Sequence, residues 1–189
     1  MEFEIIRSQR KTLAAQIKDG RLLIRVPFTA TDQEIHLFMQ KHRRWMETHL
    51  AKARAQRETA CRFGALSPAE MQQLAQDARQ LFPARVAYYA SKMGVTYGKI
   101  TIRTQRSRWG SCSSRGNLSF NCLLMLTPQE VIDSVVVHEL CHRREMNHSP
   151  RFYQQVLQVY PDYYTWDRWL KENGAVLMQR YEMEYVQEK

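Results

Sequence analysis

Residues 138–148 read HELCHRREMNH. His138, Glu139 and His142 form the pattern H-E-x-x-H, and His148 follows six positions later. On a helix, the two histidines of the pattern project from one face, one turn apart, so two neutral imidazoles can bind a single metal ion. Zinc lowers the pKa of a bound water to about 7, and an adjacent glutamate can take its proton as the water attacks a carbonyl or phosphoryl centre. The pattern is typical of zinc hydrolases.

The third histidine decides which kind of zinc site the sequence predicts. Catalytic zinc sites use three protein ligands and leave one position open, whereas structural sites close the tetrahedron with four. Asn147 can end a helix, Ser149 can cap the next one and Pro150 suits its first position. His148 is therefore predicted to lie in a corner between two helices as the third ligand. Three imidazoles also accept nickel, cobalt or copper, so zinc is the default and not the only metal allowed.

Composition places the chain among globular proteins. It has 189 residues, 44% of them hydrophobic, and a formal net charge of +9. The N-terminus opens with carboxylates, and no run of about eighteen uncharged apolar residues occurs, so neither a signal peptide nor a membrane span is predicted. Four scattered cysteines suggest reduced thiols, and Cys141 inside the motif is expected to pack into the core. We expect a cytoplasmic protein, and the oligomeric state stays open.

Positive charge is concentrated in the middle of the chain. Between Asp77 and Glu130 there is no carboxylate, whereas eight lysines and arginines fall in this stretch. A surface built from it would attract phosphates, acidic peptides or nucleic acid. Alternatively, these are solvated side chains on several different faces.

The hydrophobic pattern predicts an α+β chain. The segment 99–104 and the extended segment 118–126 are expected to pair as a β-hairpin around the polar loop RSRWGSCSSRGN. Thr127-Pro128 would begin a deeply buried helix that carries the H-E-x-x-H motif. The other predicted elements are an N-terminal β-meander over 3–8, 12–18 and 21–26, a long helix to about residue 57, a joint at 58–66, and a helix from Ser67 to about Met93.

Three segments together resemble the YgjP-like metallopeptidase family, which is related to the SprT-like and WLM groups of small zinc peptidases. They read RSRWGSCSSRGNLSFN, VVVHELCHRREMNHSPRFY and YPDYY, and the resemblance covers essentially the whole chain. It implies a zincin-like, minigluzincin-type domain whose small twisted β-sheet packs on the active-site helix, with one zinc bound through the three histidines. We accordingly expect an N-terminal β-rich extension with a helix over residues 1–66 and the metallopeptidase domain over residues 67–189.

The loop before the last predicted strand is the candidate substrate-binding edge. An extended peptide would be held there by backbone hydrogen bonds, and the same segment could stabilise an oxyanion. Alternatively, the tryptophan of this loop plugs the core and its glycine permits a bend. The candidate substrate-binding residues are Arg108, Trp109, Gly110, Ser111 and Asn121.

Polar residues near the motif also have two interpretations. Glu145 would either orient a ligand histidine or be solvated, and the sequence favours solvation. Tyr153, Tyr163 and Tyr164 would either offer hydroxyl groups to the reaction centre or pack in the core, as clustered aromatic residues usually do.

The leading prediction is a zinc-dependent metallopeptidase with a peptide or protein substrate. The resemblance also implies a second enzyme class, because the YgjP-like family is associated with hydrolysis of UTP to UMP and diphosphate. The basic stretch would suit a triphosphate, but the sequence has neither a glycine-rich phosphate loop nor a carboxylate cluster for magnesium. A third alternative is a nucleic-acid-associated protein, such as a protease recruited to DNA-bound proteins, and only charge supports it.

Overall fold

A computed structural model of the protein describes residues 2–18 and 20–187. The chain forms two compact units, residues 1–63 and 64–189. Each unit contains its own three-stranded β-sheet together with helices, so the predicted α+β class is confirmed. Within the described ranges, no helix combines the length and the apolar character that crossing a membrane requires.

In the described residues of the N-terminal unit, 2–18 and 20–63, the chain forms three strands and one long helix: β1 (Phe3–Ser8), β2 (Ala14–Lys18), β3 (Arg21–Pro27) and α1 (Asp32–Phe63). The strand order is β1-β3-β2, with β1 parallel and β2 antiparallel to β3. The predicted strands therefore form, but the predicted β-meander is wrong. Only β2 and β3 are joined by a tight turn, at Gly20 with φ 72°, whereas residues 9–13 carry the chain to the opposite edge of β3.

Helix α1 packs its apolar face on one side of this sheet. Leu22, Ile24 and Met46 are at most 1% exposed and belong to the same core cluster. The predicted joint at 58–66 is wrong over its first part, because α1 continues through Phe63. Ala60, in this last part of the helix, is fully buried.

The described part of the C-terminal unit, residues 64–187, contains three strands, four α-helices and a short 3-10 helix. Its α-helices are α2 (Pro68–Met93), α3 (Gln129–Cys141), α4 (Pro150–Val159) and α5 (Tyr163–Gln187). Its strands are β4 (Ile100–Arg103), β5 (Gly110–Cys112) and β6 (Leu118–Asn121), and the 3-10 helix spans Cys122–Leu126. Helix α2 begins with a capping box between Ser67 and Glu70 and ends at Gly94, whose φ is 64°.

The second sheet has the order β4-β6-β5, which places β5 at an edge. Strand β4 runs parallel to β6, and β5 runs antiparallel to β6. The predicted hairpin between residues 99–104 and 118–126 is therefore wrong. The polar loop contributes its own strand as the antiparallel partner of β6, and residues after Asn121 turn into the 3-10 helix because the Asn121 side chain accepts the backbone N–H of Leu123 at 3.1 Å.

Helix α3 runs through the main core of this unit. Val131, Val136, Leu140 and Cys141 are fully buried, which confirms both the predicted burial of the helix and the core position of the cysteine. Neighbouring elements supply the rest of this core, including a stacked pair of Phe82 and Phe120 rings. Packing on several sides therefore fixes the helix that carries the motif, independently of a bound metal.

Candidate metal centre

The structure brings the three histidines of the motif region together. His138 lies in the last turn of α3, and His142 follows the helix with φ −62° and ψ −14°, so the one-turn spacing is preserved. His148 lies next to Ser149, whose side chain accepts the backbone N–H of Phe152 and caps α4. One ring nitrogen from each histidine lies within 4.8 Å of the others. The Nε2 atoms of His138 and His148 are 2.9 Å apart, which is close enough for both to face one ion.

The opposite nitrogens of two of these rings are held by the protein. Nδ1 of His138 lies 2.9 Å from the hydroxyl oxygen of Tyr163, and Nδ1 of His142 lies 3.2 Å from the backbone carbonyl oxygen of Glu145. With Nδ1 engaged, Nε2 is the nitrogen that remains for a metal. Tyr163 is 5% exposed, so it packs in the core and also offers its hydroxyl group to the cluster. Glu145 contributes its main chain to the ring of His142.

Burial keeps His138 and His142 in the form that a metal requires. It lowers the pKa of His138 to about 3, with further lowering from the positive charges of His142, His148 and Lys171. Burial also lowers the pKa of His142. Neutral imidazoles at physiological pH are ready metal ligands, because binding does not first have to remove a proton. Three imidazoles converge on one point, and contacts to Nδ1 orient two of them. This donor set fits a catalytic zinc ion.

Glu139 lies beside the histidines and faces a cavity. It is 6% exposed, and burial raises its pKa to about 8, against a smaller lowering by the positive charge of Arg108. Gly110 of β5 lies directly against it. A Cβ atom at position 110 would lie 2.6 Å from Oε1 of Glu139 and 2.8 Å from its Cγ, so only glycine leaves the carboxylate undisturbed. The edge strand and the candidate base are therefore in contact.

The cavity has a volume of about 230 Å³ and is open to solvent. It is bounded by the loop that leads into β5, by α3 and by α5. Sequence analysis missed five of its residues, Ser107, Ser134, Val135, Asp167 and Leu170. Ser134 and Val135 could have been found, because they lie one helical turn before His138 and Glu139 on the same face.

The predicted substrate-binding residues separate into two groups. Arg108, Trp109 and Gly110 line the cavity, whereas Ser111 lies further along β5 and pairs with Ser119 of β6. Asn121 is not among the residues that line the cavity, and its contact with a substrate stays a prediction. It is 2% exposed, and its side-chain amide donates to the carbonyl oxygens of Gln105 at 2.8 Å and Arg108 at 3.0 Å. Asn121 holds the cavity loop in place.

Trp109 combines the two roles that the sequence left open. Its ring packs against the main core, and it also lines the cavity. A Cβ atom at Gly174 of α5 would lie 2.7 Å from the ring, so this tryptophan and α5 approach as closely as a glycine allows. The indole thus connects the cavity loop to α5.

Comparison with protein families agrees with this arrangement. The YgjP-like family, described as a metallopeptidase domain, matches residues 67–173, a range that contains the histidine cluster and the cavity. The chain belongs to the YgjP-like family. The domain that carries the site is therefore a metallopeptidase domain, and its family implies a catalytic metal.

Two solved structures are also similar to this YgjP-like chain. One is the metallopeptidase zymogen abylysin of Pyrococcus abyssi, with 20% identity, a TM-score of 0.43, and coverage of 48% of this chain and 92% of that one. The other is the metallopeptidase zymogen jannalysin of Methanocaldococcus jannaschii, with 16% identity, a TM-score of 0.38, and coverage of 56% and 94%. A search of curated proteins gave no match.

Proposed function

We propose that this chain is a zinc-dependent metallopeptidase in which His138, His142 and His148 bind the metal and Glu139 is the general base. The observation that carries the proposal is the convergence of three imidazoles on one point beside a buried carboxylate in an open cavity. Membership of a metallopeptidase family supports it. Zinc is proposed because three neutral nitrogen ligands with an open fourth position suit this metal.

When bound, zinc would polarise the scissile carbonyl and acidify an attacking water. The protein's own contribution is to hold the ligands and to move protons. Tyr163 and the carbonyl of Glu145 keep the rings of His138 and His142 in one orientation. Metal binding therefore costs less conformational entropy at these two side chains. Glu139 would accept the proton of the water and then deliver it to the leaving amine. Its burial favours holding that proton between the two steps.

The free edge of β5 is the proposed peptide-binding surface. This strand lies at the edge of its sheet, and its first residue, Gly110, lies against Glu139. An extended peptide that added to this edge would be held by main-chain hydrogen bonds, largely independent of its sequence. Its scissile bond would then lie near the carboxylate and the histidine cluster.

Peptide hydrolysis by zinc-loaded protein tests this function, with Glu139→Gln as the diagnostic variant. We expect wild-type protein to cleave members of a fluorogenic peptide library, and the variant to lose about 10²- to 10⁴-fold in rate, the range that general-base catalysis contributes, while it still binds zinc. Glu145→Gln is the matched control, because Glu145 contacts His142 through its backbone. If no peptide is cleaved, or if Glu139→Gln cleaves as fast as wild type, the proposal is wrong.

Hydrolysis of UTP, association with nucleic acid and a cytoplasmic location stay predictions. The cavity, at about 230 Å³, is smaller than the roughly 300–1,000 Å³ of pockets that enclose drug-sized ligands, so a nucleoside triphosphate would lie largely outside it. Assaying UTP with the same wild-type and Glu139→Gln preparations would separate this activity from peptide hydrolysis. A duplex titration without salt-dependent affinity would count against binding to nucleic acid.

A further inference from the structure

Arg108 places a positive charge at the wall of the cavity that contains Glu139. Arg108 and Glu139 line the same cavity, so a group bound there lies within reach of both the guanidinium group and the carboxylate. The backbone of Arg108 is fixed, because its carbonyl oxygen accepts the side-chain amide of Asn121 at 3.0 Å. The side chain is exposed, so a substrate in the cavity can reach it.

Arg108 takes part in no salt bridge with the side chains that the structure describes, those of residues 2–18 and 20–183. The cavity has two acidic residues, and both have other roles. Asp167 accepts a hydrogen bond from Nζ of Lys171 at 2.6 Å and forms an ion pair with it. Glu139 is the general base of the proposed mechanism and must be free to meet water.

The guanidinium group of Arg108 therefore remains available to an anion from the substrate, and the volume of the cavity limits which anion would fit. A guanidinium group binds carboxylates through two parallel N–H donors, and such pairs are stronger where part of the surrounding water is removed. A volume of about 230 Å³ suits a single side chain or a chain terminus. Val135 and Leu170 supply apolar wall that would pack against the aliphatic part of such a group.

We propose that the cavity selects peptides that carry a carboxylate next to the scissile bond, and that Arg108 binds this carboxylate. The carboxylate belongs either to an aspartate or glutamate side chain or to the C-terminus of the peptide. This inference rests on the proposed peptidase function and specifies its substrate class. Selection for a basic residue by Asp167 is disfavoured, because Lys171 already satisfies that carboxylate.

Matched peptides that differ in one residue next to the cleaved bond provide the test. The set contains glutamate, glutamine and lysine at that position, each with a free and with an amidated C-terminus. For zinc-loaded wild-type protein we expect kcat/KM for a carboxylate-bearing peptide to exceed that of its uncharged match by about fivefold or more, as expected for a partly desolvated ion pair. Loss of the preference on amidation would identify the C-terminal carboxylate as the source, and a preference that survives amidation would identify the side chain.

Variants of Arg108 then assign the preference to its charge. Arg108→Gln should bring the ratio of glutamate to glutamine peptides to about one, Arg108→Lys should retain part of it, and Arg108→Glu should favour the lysine peptide. Arg115→Gln is the matched control, because it removes the same charge from the same loop region outside the cavity. That control should keep the wild-type ratio, which separates a local contact from a general effect of net charge.

Binding to the Glu139→Gln variant distinguishes failure of this inference from failure of the proposed function. Calorimetry with the uncleaved peptides should show the same preference for a carboxylate, and the preference should disappear in the Glu139→Gln, Arg108→Gln double variant. Carboxylate-dependent binding without any hydrolysis by wild type would overturn the peptidase function and keep the binding site. Hydrolysis by wild type at one rate, whether the peptide carries glutamate or glutamine and whether its C-terminus is free or amidated, would overturn the role of Arg108 and keep the peptidase.

Discussion

The hydroxyl oxygen of Tyr163 lies 2.9 Å from Nδ1 of His138, so the first residue of α5 orients a ring on α3. A partner on the outer nitrogen of a ligand histidine fixes the tautomer and the ring orientation. Removing such partners typically costs about 10- to 100-fold in metal affinity. We therefore expect Tyr163→Phe to bind zinc about 10- to 100-fold more weakly than wild type in competition with a chelator.

Tyr164→Phe is the control for this comparison. Tyr164 is the next residue along α5, but it is 48% exposed, so loss of its hydroxyl group should leave zinc affinity unchanged. Equal affinity of Tyr163→Phe and wild type would show that the hydrogen bond to His138 does not support the metal site.

Gly110→Ala should reduce catalysis without removing the metal. The added Cβ atom would lie 2.6 Å from Oε1 of Glu139, so either the carboxylate or strand β5 has to move. A displacement of about 1 Å in a catalytic group can cost 10²-fold in rate, so we expect kcat to fall by about that factor with zinc content near that of wild type. Ser111→Ala, on the same strand but outside the cavity, should retain activity. Full activity of Gly110→Ala would contradict the close contact between β5 and Glu139.

Burial of Glu139 predicts how the stability of the metal-free protein depends on pH. Because its pKa in the folded protein is about 8, above the ordinary value of 4.5, the folded chain holds this proton more tightly than the unfolded chain. The resulting stabilisation is fully present below pH 4.5 and is lost as the pH rises to about 8.

Glu139→Gln cannot ionise and therefore lacks this dependence. Across the interval from pH 4.5 to pH 8, the free energy of unfolding of metal-free wild type should fall relative to that of the variant by an amount on the order of a few kcal/mol. Denaturant unfolding of both proteins at several pH values measures the difference. If the free energy of unfolding depends on pH in the same way in both proteins, the carboxyl group of Glu139 is solvated in the folded state.

The buried ion pair between Arg85 and Asp133 supports the helix that carries the motif. Nε of Arg85 donates to Oδ1 of Asp133 at 2.8 Å, and the aspartate side chain is 9% exposed. Arg85→Met would leave that carboxylate without its cation, and we expect a loss of about 3 kcal/mol in the free energy of unfolding. Arg43→Met, which breaks an exposed pair with Glu47, should cost less than about 1 kcal/mol. If Arg85→Met lowers the free energy of unfolding only slightly, water rather than Arg85 solvates the carboxylate of Asp133.

Local sequence rules predicted the centre of the site well. The spacing of His138 and His142 is set by the helical repeat, and Ser149 and Pro150 start α4 directly after His148, as their capping preferences predict. These features depend on a few consecutive residues, so one sequence contains the information needed. The assignment of the three histidines and Glu139 as functional residues stays a prediction until metal binding is measured.

Features that depend on distant parts of the chain were predicted poorly. The contact of Tyr163 with His138 spans 25 positions and follows from how α5 packs on α3, which no local pattern reveals. The alternation of apolar residues predicted the strands at the N-terminus, but strand order depends on which connection crosses the sheet, so the β-meander was wrong. Asn121 was a candidate substrate-binding residue, but its side-chain amide donates hydrogen bonds to two backbone carbonyl oxygens, which no local pattern reveals. The boundary between an N-terminal extension over residues 1–66 and a metallopeptidase domain over residues 67–189 stays a prediction.

Zinc content of wild type and of His148→Ala, measured by elemental analysis on protein purified without chelator, tests the central claim most directly. His148 is exposed, so this substitution removes one ligand and leaves the core intact. His36→Ala, at an exposed histidine of the N-terminal unit, is the matched control. The account predicts about one zinc per chain in wild type and in the control, and little or none in His148→Ala. Equal zinc in all three proteins, or none in wild type after zinc is added, would contradict the three-histidine metal site.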